Sequence, residues 1–141
     1  MKYIELLKNI RVCPFCDLQT REILAENKTA FLTFAVAPYH PDHLLVCPKR
    51  HIEHLLDLSA NEMRDIDFLQ KEGLKILEHL GYKDISFMVR EGKGTGKTVD
   101  HLHYHIIPNI ELGAGTHSGA DRLVLSDKEI NSLVTRLRSV L

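Results

Sequence analysis

The segment "TVDHLHYHIIP", residues 98–108, restricts the possible folds more than any other part of the sequence. Three successive alternate positions of this segment are histidine: His101, His103 and His105. Each histidine is followed by an apolar or aromatic residue, namely Leu102, Tyr104 and Ile106. Because successive side chains of a β-strand point to opposite faces, the alternation predicts a strand that ends at Pro108, with one apolar face and one histidine face. Alternate Cα atoms on a strand are roughly 6.5–7 Å apart, so we expect the three imidazoles to divide between tasks.

The rest of the pattern predicts an α+β fold, in which a mainly antiparallel sheet packs on one long helix with smaller helices at the ends. Ile23 and Leu24 are predicted to lie in the first strand of a hairpin, with its turn at Asn27–Lys28 and "AFLTFAV" as the partner strand. "HLLVCPK" is predicted to be a buried strand that ends at Pro48, and "DISFMVR" to be a further strand.

Three helices are predicted. A short helix covers residues 3–9, and the long helix covers 60–80, where Ser59 and Glu62 have the spacing of a capping box and Gly81 stops the helix. A terminal helix over 126–140 begins with the same spacing at Ser126 and Glu129. The segments 38–42, 91–97 and 109–121 are predicted to be loops because they are rich in glycine or proline.

The composition limits the class of protein. With 141 residues, 44% hydrophobic and 26% charged, the chain suits one domain over residues 1–141 with one core. The formal net charge of −1 provides no basic surface for a phosphate backbone, so nucleic acid is an unlikely partner. No apolar run approaches the ~20 residues that cross a bilayer, and the first residues do not resemble a signal peptide. We therefore expect no membrane association and a cytoplasmic location.

The cysteines carry a second signal. Cys13 and Cys16 form "CPFC", a spacing typical of a redox pair or of half a metal site, and an inert pair is the third alternative. A redox pair would precede a long helix, whereas "DLQTREIL" is followed by charged sequence with β-propensity, so the metal site is favoured. Cys47, inside the apolar run "LLVC", is predicted to be a core residue.

A glycine-rich loop precedes the histidines. Gly92, Gly94 and Gly96 let backbone N–H groups approach an anion closely, and Lys97 and Thr98 add a charge and a hydroxyl. The loop is followed by a β-pattern instead of the helix that a nucleotide-binding P-loop requires. We therefore predict a phosphate-binding loop next to the histidine strand.

These residues together resemble the histidine triad (HIT) family. "GKTVDHLHYHIIP" is similar to the His-x-His-x-His motif, "HPDHLLVCPKRHIEHLLDLS" to the strand and turn upstream of it, and "CPFC" to the zinc-binding branch. The resemblance runs from about residue 13 to 110. It implies a dimeric HIT-like α+β fold and a nucleotide substrate. The implied activity is a nucleotidyl hydrolase or transferase, and the implied dimer contact involves the long helix and the strand near Ile85.

The resemblance also implies residue roles. His103 would attack the α-phosphorus while the carbonyl of His101 holds one of its ring nitrogens, and His105 would donate to a phosphate oxygen. His43 would support the triad or be a structural residue. Thr98 would be the fourth catalytic residue, at the position of the family's Ser/Thr that contacts phosphate or the leaving group. The remaining implied nucleotide or phosphate contacts are Gly96, Lys97, Phe15 and Leu18.

The same resemblance implies a structural zinc site. Its four ligands would be Cys13, Cys16, His51 and His101, a closed tetrahedral set. His54 is an alternative to His51, because the two lie three residues apart and could share one side of a helical turn.

Some positions depart from the family pattern. Lys97 stands where glutamine is common, Arg90 where an amide is common, and Ala35 or Ala37 where an acid usually binds ribose. "DHLHYHIIP" with the downstream "ADRLVLSD" is similar to members that cleave diadenosine tetraphosphate by phosphorolysis. Phosphorolysis and a catalytically weak nucleotide-binding regulator are therefore the alternatives to hydrolysis.

Overall fold

The computed structural model describes residues 1–18, 22–110 and 122–141. A five-stranded sheet forms its centre, with the strands in the order β1-β2-β3-β5-β4 and every neighbouring pair antiparallel. The strands are β1 (Ala25–Glu26), β2 (Ala30–Phe34), β3 (Leu44–Pro48), β4 (Ile85–Val89) and β5 (Tyr104–Pro108). The helices are α1 (Tyr3–Lys8), α2 (Ala60–His79) and α3 (Asp127–Arg138). This confirms the predicted α+β fold class.

The sheet is covered on both faces, which explains why β2 and β3 are continuous apolar runs. All residues of β2 and β3 are buried. One face packs against α2, whose Gly73 lies so close to the sheet that an added Cβ would come within 2.6 Å of Ile106 Cδ1. The other face packs against α1 and the "CPFC" turn, with Tyr3, Phe15 and Cys47 among its buried residues. The burial of Cys47 confirms its predicted place in a core.

The helix termini follow the capping signals. Ser59 and Glu62 form the predicted capping box of α2, and Gly81 has φ 97, a left-handed conformation that suits glycine. Ser126 and Glu129 form the same box at α3, which ends at Arg138, two residues before the predicted end. In the described part of the chain, no helix has the length and apolarity that crossing a membrane requires.

Two strand predictions were wrong in their limits. The first strand of the hairpin is Ala25–Glu26 and not Ile23–Leu24, although the Leu24 N–H still donates to the Leu32 carbonyl. The strand β5 begins only at Tyr104, so His101 and His103 precede it.

The register of β3 and β5 explains the late start of β5. Val46 pairs with Tyr104, so continued pairing would bring Leu102 opposite Pro48, which has no N–H to donate. The Leu102 N–H donates instead to the Ile52 carbonyl at 2.7 Å. The loop predicted over 109–121 lies outside the described residues from 111 onward.

Backbone hydrogen bonds hold the segment before α3 against the start of the chain. Tyr3 N–H donates to the Arg122 carbonyl at 2.7 Å, and Val124 N–H donates to the Met1 carbonyl at 2.9 Å. Leu125 N–H donates to the carbonyl of Val36, just beyond β2. Residues 122–125 are thereby fixed beside the sheet.

Candidate functional site

A cavity of about 260 Å³ lies between α1, the "CPFC" turn and the sheet. Its wall is largely apolar and includes Phe15 and Leu18, two of the predicted nucleotide-binding residues. The imidazoles of His103 and His105 and the guanidinium of Arg122 also line it. We call this space the histidine cavity. It combines an apolar wall with a few convergent polar groups, as small-molecule sites do.

His103 is held in one tautomer. Its Nδ1 lies 2.7 Å from the carbonyl oxygen of His101, which can only accept, so Nδ1 carries the proton and Nε2 carries the lone pair. Burial lowers the pKa of His103 to about 4, the bond to the His101 carbonyl opposes this shift, and Lys97 adds to it. The ring is therefore neutral at pH 7 and has a free nucleophilic nitrogen.

His105 is held in the opposite tautomer by two successive hydrogen bonds, the first of which comes from a backbone amide. Tyr39 N–H donates to His43 Nδ1 at 3.1 Å, so the proton of neutral His43 lies on Nε2, 2.9 Å from His105 Nδ1. His105 Nδ1 accepts this proton's hydrogen bond, which leaves an N–H at His105 Nε2. That atom is buried, and none of the residues that the structure describes forms a hydrogen bond with it. His43 thus lies where a residue supporting the triad would, in contact with His105.

The rings of His103 and His105, which have opposite tautomers, lie side by side. The ring centroids of His103 and His105 are 4.9 Å apart, and the Phe15 ring packs 5.0 Å from that of His103. A lone pair and an N–H donor therefore line one cavity wall. This pair can attack an electrophilic centre while donating a hydrogen bond to an oxygen attached to it.

The structure contains a second cluster of side chains, separate from the pair of imidazoles in the histidine cavity. Four ligand atoms come within 4.8 Å of one another, and they belong to Cys13, Cys16, His51 and His101. His101 Nδ1 is 3.4 Å from each cysteine sulfur, and His51 Nδ1 is 3.3 Å from Cys16 Sγ. Tetrahedral coordination with N and S ligands gives ligand–ligand distances of about 3.4–3.8 Å. The cluster could therefore hold a metal ion.

The outer hydrogen bonds of the cluster fit this use. His101 Nε2 donates to the Pro48 carbonyl at 2.8 Å, and His51 Nε2 lies 2.9 Å from a Glu53 carboxylate oxygen. Both histidines therefore turn an unprotonated Nδ1 toward the sulfurs, as metal-binding histidines do. His54 lies outside the cluster, where its Nδ1 is 2.8 Å from a Glu91 carboxylate oxygen.

The glycine-rich loop lies nearer to the metal cluster than to the histidine cavity. Thr98 lines a separate pocket of about 240 Å³ together with Cys13 and His101, and Lys97 Nζ donates to the Glu53 carbonyl at 3.0 Å. Gly96 has φ 89 and ends a short 3-10 turn. In the described part of the chain, none of these three loop residues lines the histidine cavity.

The sequence did not point to Arg122. Its guanidinium carbon lies 4.0 Å from the ring centroid of Tyr39, and its buried Nε has no hydrogen-bond partner in the described part of the chain. Arg122 reaches the cavity because the segment 122–125 pairs with the start of the chain. No local sequence motif predicts that pairing. A single basic residue after a glycine-rich segment does not by itself indicate a functional role.

Sequence comparison identifies the family. The HIT domain family model matches residues 18–112, and the chain belongs to this family. It is 32% identical over 133 residues to adenosine 5'-monophosphoramidase hnt1 of Schizosaccharomyces pombe, a match that covers 90% of this chain and 96% of that protein.

Two further comparisons agree. Bis(5'-adenosyl)-triphosphatase of Dictyostelium discoideum is 35% identical over 92 residues, which span 64% of this chain and 62% of that protein. The Plasmodium falciparum diadenosine triphosphate hydrolase, solved in complex with Cyclomarin A, superposes with a TM-score of 0.72 at 27% identity. That superposition covers 86% of this chain and 77% of the other.

The metal cluster can be tested with His51 and His54, two exposed histidines three residues apart. We expect wild-type protein to carry about one metal equivalent per chain, His51→Gln to lose most of it, and His54→Gln to keep it, because only His51 faces the cysteines. Elemental analysis after exhaustive dialysis measures the occupancy. Equal occupancy in the two variants would contradict the assignment of His51.

The buried histidines predict a loss of stability in acid. Burial is the main cause that holds the pKa values of His43 and His105 well below 6.5. The charges of Arg122, Arg90 and His103 lower both pKa values further, and His40 also lowers that of His43. The unfolded chain therefore takes up protons before the folded chain as the pH falls through 6.5, and the free energy of unfolding decreases. Each histidine contributes at most about 1.4 kcal/mol per pH unit.

Urea denaturation between pH 7.5 and 5.5 measures this effect. We expect His43→Gln to flatten the decrease, because it removes one titrating group, and His79→Gln on the exposed end of α2 to leave it unchanged. Stability that is constant or rises toward pH 5.5 in the wild type would show that these histidines are not buried in the neutral form.

Proposed function

We propose that this protein is a nucleotidyl hydrolase or transferase that works through a covalent His103–nucleotidyl intermediate. The observation that carries the proposal is the pair of opposite tautomers in one cavity, with the lone pair of His103 beside the N–H of His105. Burial keeps both rings neutral, so the nucleophile needs no separate base.

The reaction takes two displacements at the α-phosphorus. In the first, His103 Nε2 forms a P–N bond as the bond from phosphorus to the leaving group breaks, while His105 Nε2–H donates to a phosphoryl oxygen. In the second, a water oxygen forms a P–O bond as the P–N bond breaks and returns neutral His103. The proton that the water loses balances the one that the departed leaving group takes up.

The substrate class follows from the family and the cavity. The names of the relatives refer to a triphosphate that joins two adenosines and to an adenosine phosphoramidate. The apolar wall that includes Phe15 and Leu18 suits a nucleobase. We therefore propose a dinucleoside polyphosphate or a nucleoside phosphoramidate as the substrate. Gly96, Lys97 and Thr98 lie outside the histidine cavity, and we propose them as contacts of the leaving group from the family resemblance alone.

Two alternatives to hydrolysis are distinguished by products. With diadenosine tetraphosphate, AMP plus ATP indicates hydrolysis, whereas ADP plus ATP formed only with added phosphate indicates phosphorolysis. Binding of the nucleotide without any product would indicate a regulatory protein.

We propose that the metal is Zn²⁺, bound by Cys13, Cys16, His51 and His101. Two sulfurs and two imidazole nitrogens in a closed tetrahedral set are typical of structural zinc, which would supply stability to the fold and no open coordination position. Its effect on the chemistry would be indirect, because His101 also holds His103 through its carbonyl.

We also propose a homodimer in the cytoplasm. The strand β4 lies at the edge of the sheet, and Phe87 on it and Met63 and Phe68 on α2 are between 44% and 59% exposed. A second copy would cover this apolar surface. Cys13, Cys16 and Cys47 are free thiols, which suits a reducing compartment.

The nucleophile is tested by His103→Ala. We expect turnover of diadenosine triphosphate and of adenosine 5'-phosphoramidate to fall by about a thousandfold or more, since loss of a nucleophile removes the covalent path. Mass spectrometry of rapidly quenched wild-type protein should detect a nucleotidyl adduct that the variant lacks. His79→Ala, at the exposed end of α2, is the matched control. A wild type without turnover, or a fully active His103→Ala, would rule out the proposal.

The dimer is tested by introducing a charge into the proposed interface. We expect wild-type protein to have the mass of a dimer and Phe68→Glu that of a monomer, because the charge would lose its solvent shell in the contact. Light scattering after gel filtration measures the mass. Leu56→Glu, at a 99% exposed position, is the control and should remain dimeric. A wild-type monomer would contradict the proposal.

A further inference from the structure

We propose that Arg122 binds a phosphate group adjacent to the one that His103 attacks. This inference rests on the proposed function and extends it, because it assigns a phosphate-selective residue to the histidine cavity. The ligand is a tetrahedral oxyanion, either the next phosphate of a polyphosphate substrate or inorganic phosphate that accepts the nucleotidyl group.

The first argument is charge compensation. Arg122 lines the cavity and is partly buried, and this burial is the main cause that lowers the pKa of its guanidinium. Among the described residues, no carboxylate pairs with it. The like charge of Arg90 also contributes to the lowered pKa of Arg122. A buried cation without an anion is costly, and an anionic group of the substrate in the cavity would remove that cost.

The second argument is an unused donor. Arg122 Nε and His105 Nε2 are both buried and have no hydrogen-bond partner among the described residues, and the two residues line the same cavity. Buried donors in native structures are usually paired, so two unpaired donors in one cavity indicate a ligand with several acceptor oxygens. The His105 N–H can donate to the phosphate that is transferred, and the Arg122 guanidinium can bind the adjacent phosphate.

The third argument is position. Arg122 lines the same cavity as His103 and His105. Its guanidinium packs over the Tyr39 ring at 4.0 Å, and its backbone is fixed by the bond from Tyr3 N–H. A guanidinium packed against an aromatic ring is restricted in its movement, and its planar set of donors matches phosphate oxygens.

The experiment compares two substrates that share a nucleotidyl group. Diadenosine triphosphate carries phosphates beyond the one attacked, whereas adenosine 5'-phosphoramidate carries none. For Arg122→Gln in metal-loaded protein, we expect kcat/KM for the triphosphate to fall about tenfold or more beyond any fall for the phosphoramidate. Arg122→Lys should recover part of the difference, because it keeps the charge and loses the planar arrangement. Arg64→Gln, an exposed arginine on α2, should change neither value.

A second arm identifies the source of the phosphate. Inorganic phosphate is added during phosphoramidate turnover, and ADP and AMP are quantified. If the wild type forms ADP and Arg122→Gln lowers the ratio of ADP to AMP about tenfold, the residue binds the acceptor phosphate. If the wild type forms no ADP and only the triphosphate selectivity falls, it binds the leaving group. Unchanged selectivity, which includes equal losses on both substrates, together with an unchanged product ratio would overturn the inference.

Failure of the proposed function has a different signature. If the wild type turns over neither substrate, the enzyme proposal fails, and calorimetric titration with pyrophosphate then decides the role of Arg122. A dissociation constant at least about tenfold weaker in Arg122→Gln than in wild type and Arg64→Gln supports the anion site. Equal constants overturn it. Thermal denaturation of each variant checks that the fold is intact.

Discussion

The hydrogen bond between His103 Nδ1 and the His101 carbonyl connects the two halves of the site. The backbone of His101 fixes the tautomer of His103, while its side chain faces the sulfurs of Cys13 and Cys16. The Pro48 carbonyl holds the other side of the His101 ring, and the Leu102 N–H is bound to Ile52. The short segment before β5 is therefore fixed by contacts with three other parts of the chain. The His103 ring takes its orientation from those contacts, because its Nδ1 is bound to the His101 carbonyl.

Burial gives the histidine cavity its chemistry. Removing an imidazole from water penalises the charged form, and the rings of His43, His103 and His105 are all at most 7% exposed. A neutral imidazole carries one proton, on either Nδ1 or Nε2. A neighbouring group that can only donate or only accept a hydrogen bond determines which nitrogen carries it. The Tyr39 amide makes this choice for His43 and, through it, for His105, whereas the His101 carbonyl makes the opposite choice for His103. Two identical side chains thus acquire complementary roles from backbone groups of opposite polarity.

The sequence predicted features that depend on local patterns. The capping residues Ser59 and Ser126 located two helices, and the apolar run before Pro48 located β3. The spacing of "CPFC" favoured a metal site, and the alternation of histidines indicated a division of tasks among them, whereas the full set Cys13, Cys16, His51 and His101 came from the family resemblance. The alternation also suggested a single strand with one histidine face, which was wrong because Pro48 cannot continue the pairing with β5. Arg122 could not be predicted, since only pairing between distant parts of the chain brings it to the cavity.

The position of β4 at the edge of the sheet has a consequence for the behaviour of the protein in concentrated solution. Its sequence, "ISFMV", has high β-propensity and no charge, and an uncovered edge strand offers unpaired N–H and C=O groups to any other chain. Lys83 and Asp84 precede it, and Arg90 and Glu91 follow it. Charges that flank such a strand oppose the stacking of like chains in register. These four residues therefore act as protection against aggregation, most of all while the chain is being synthesised and the surfaces around β4 are not yet in place.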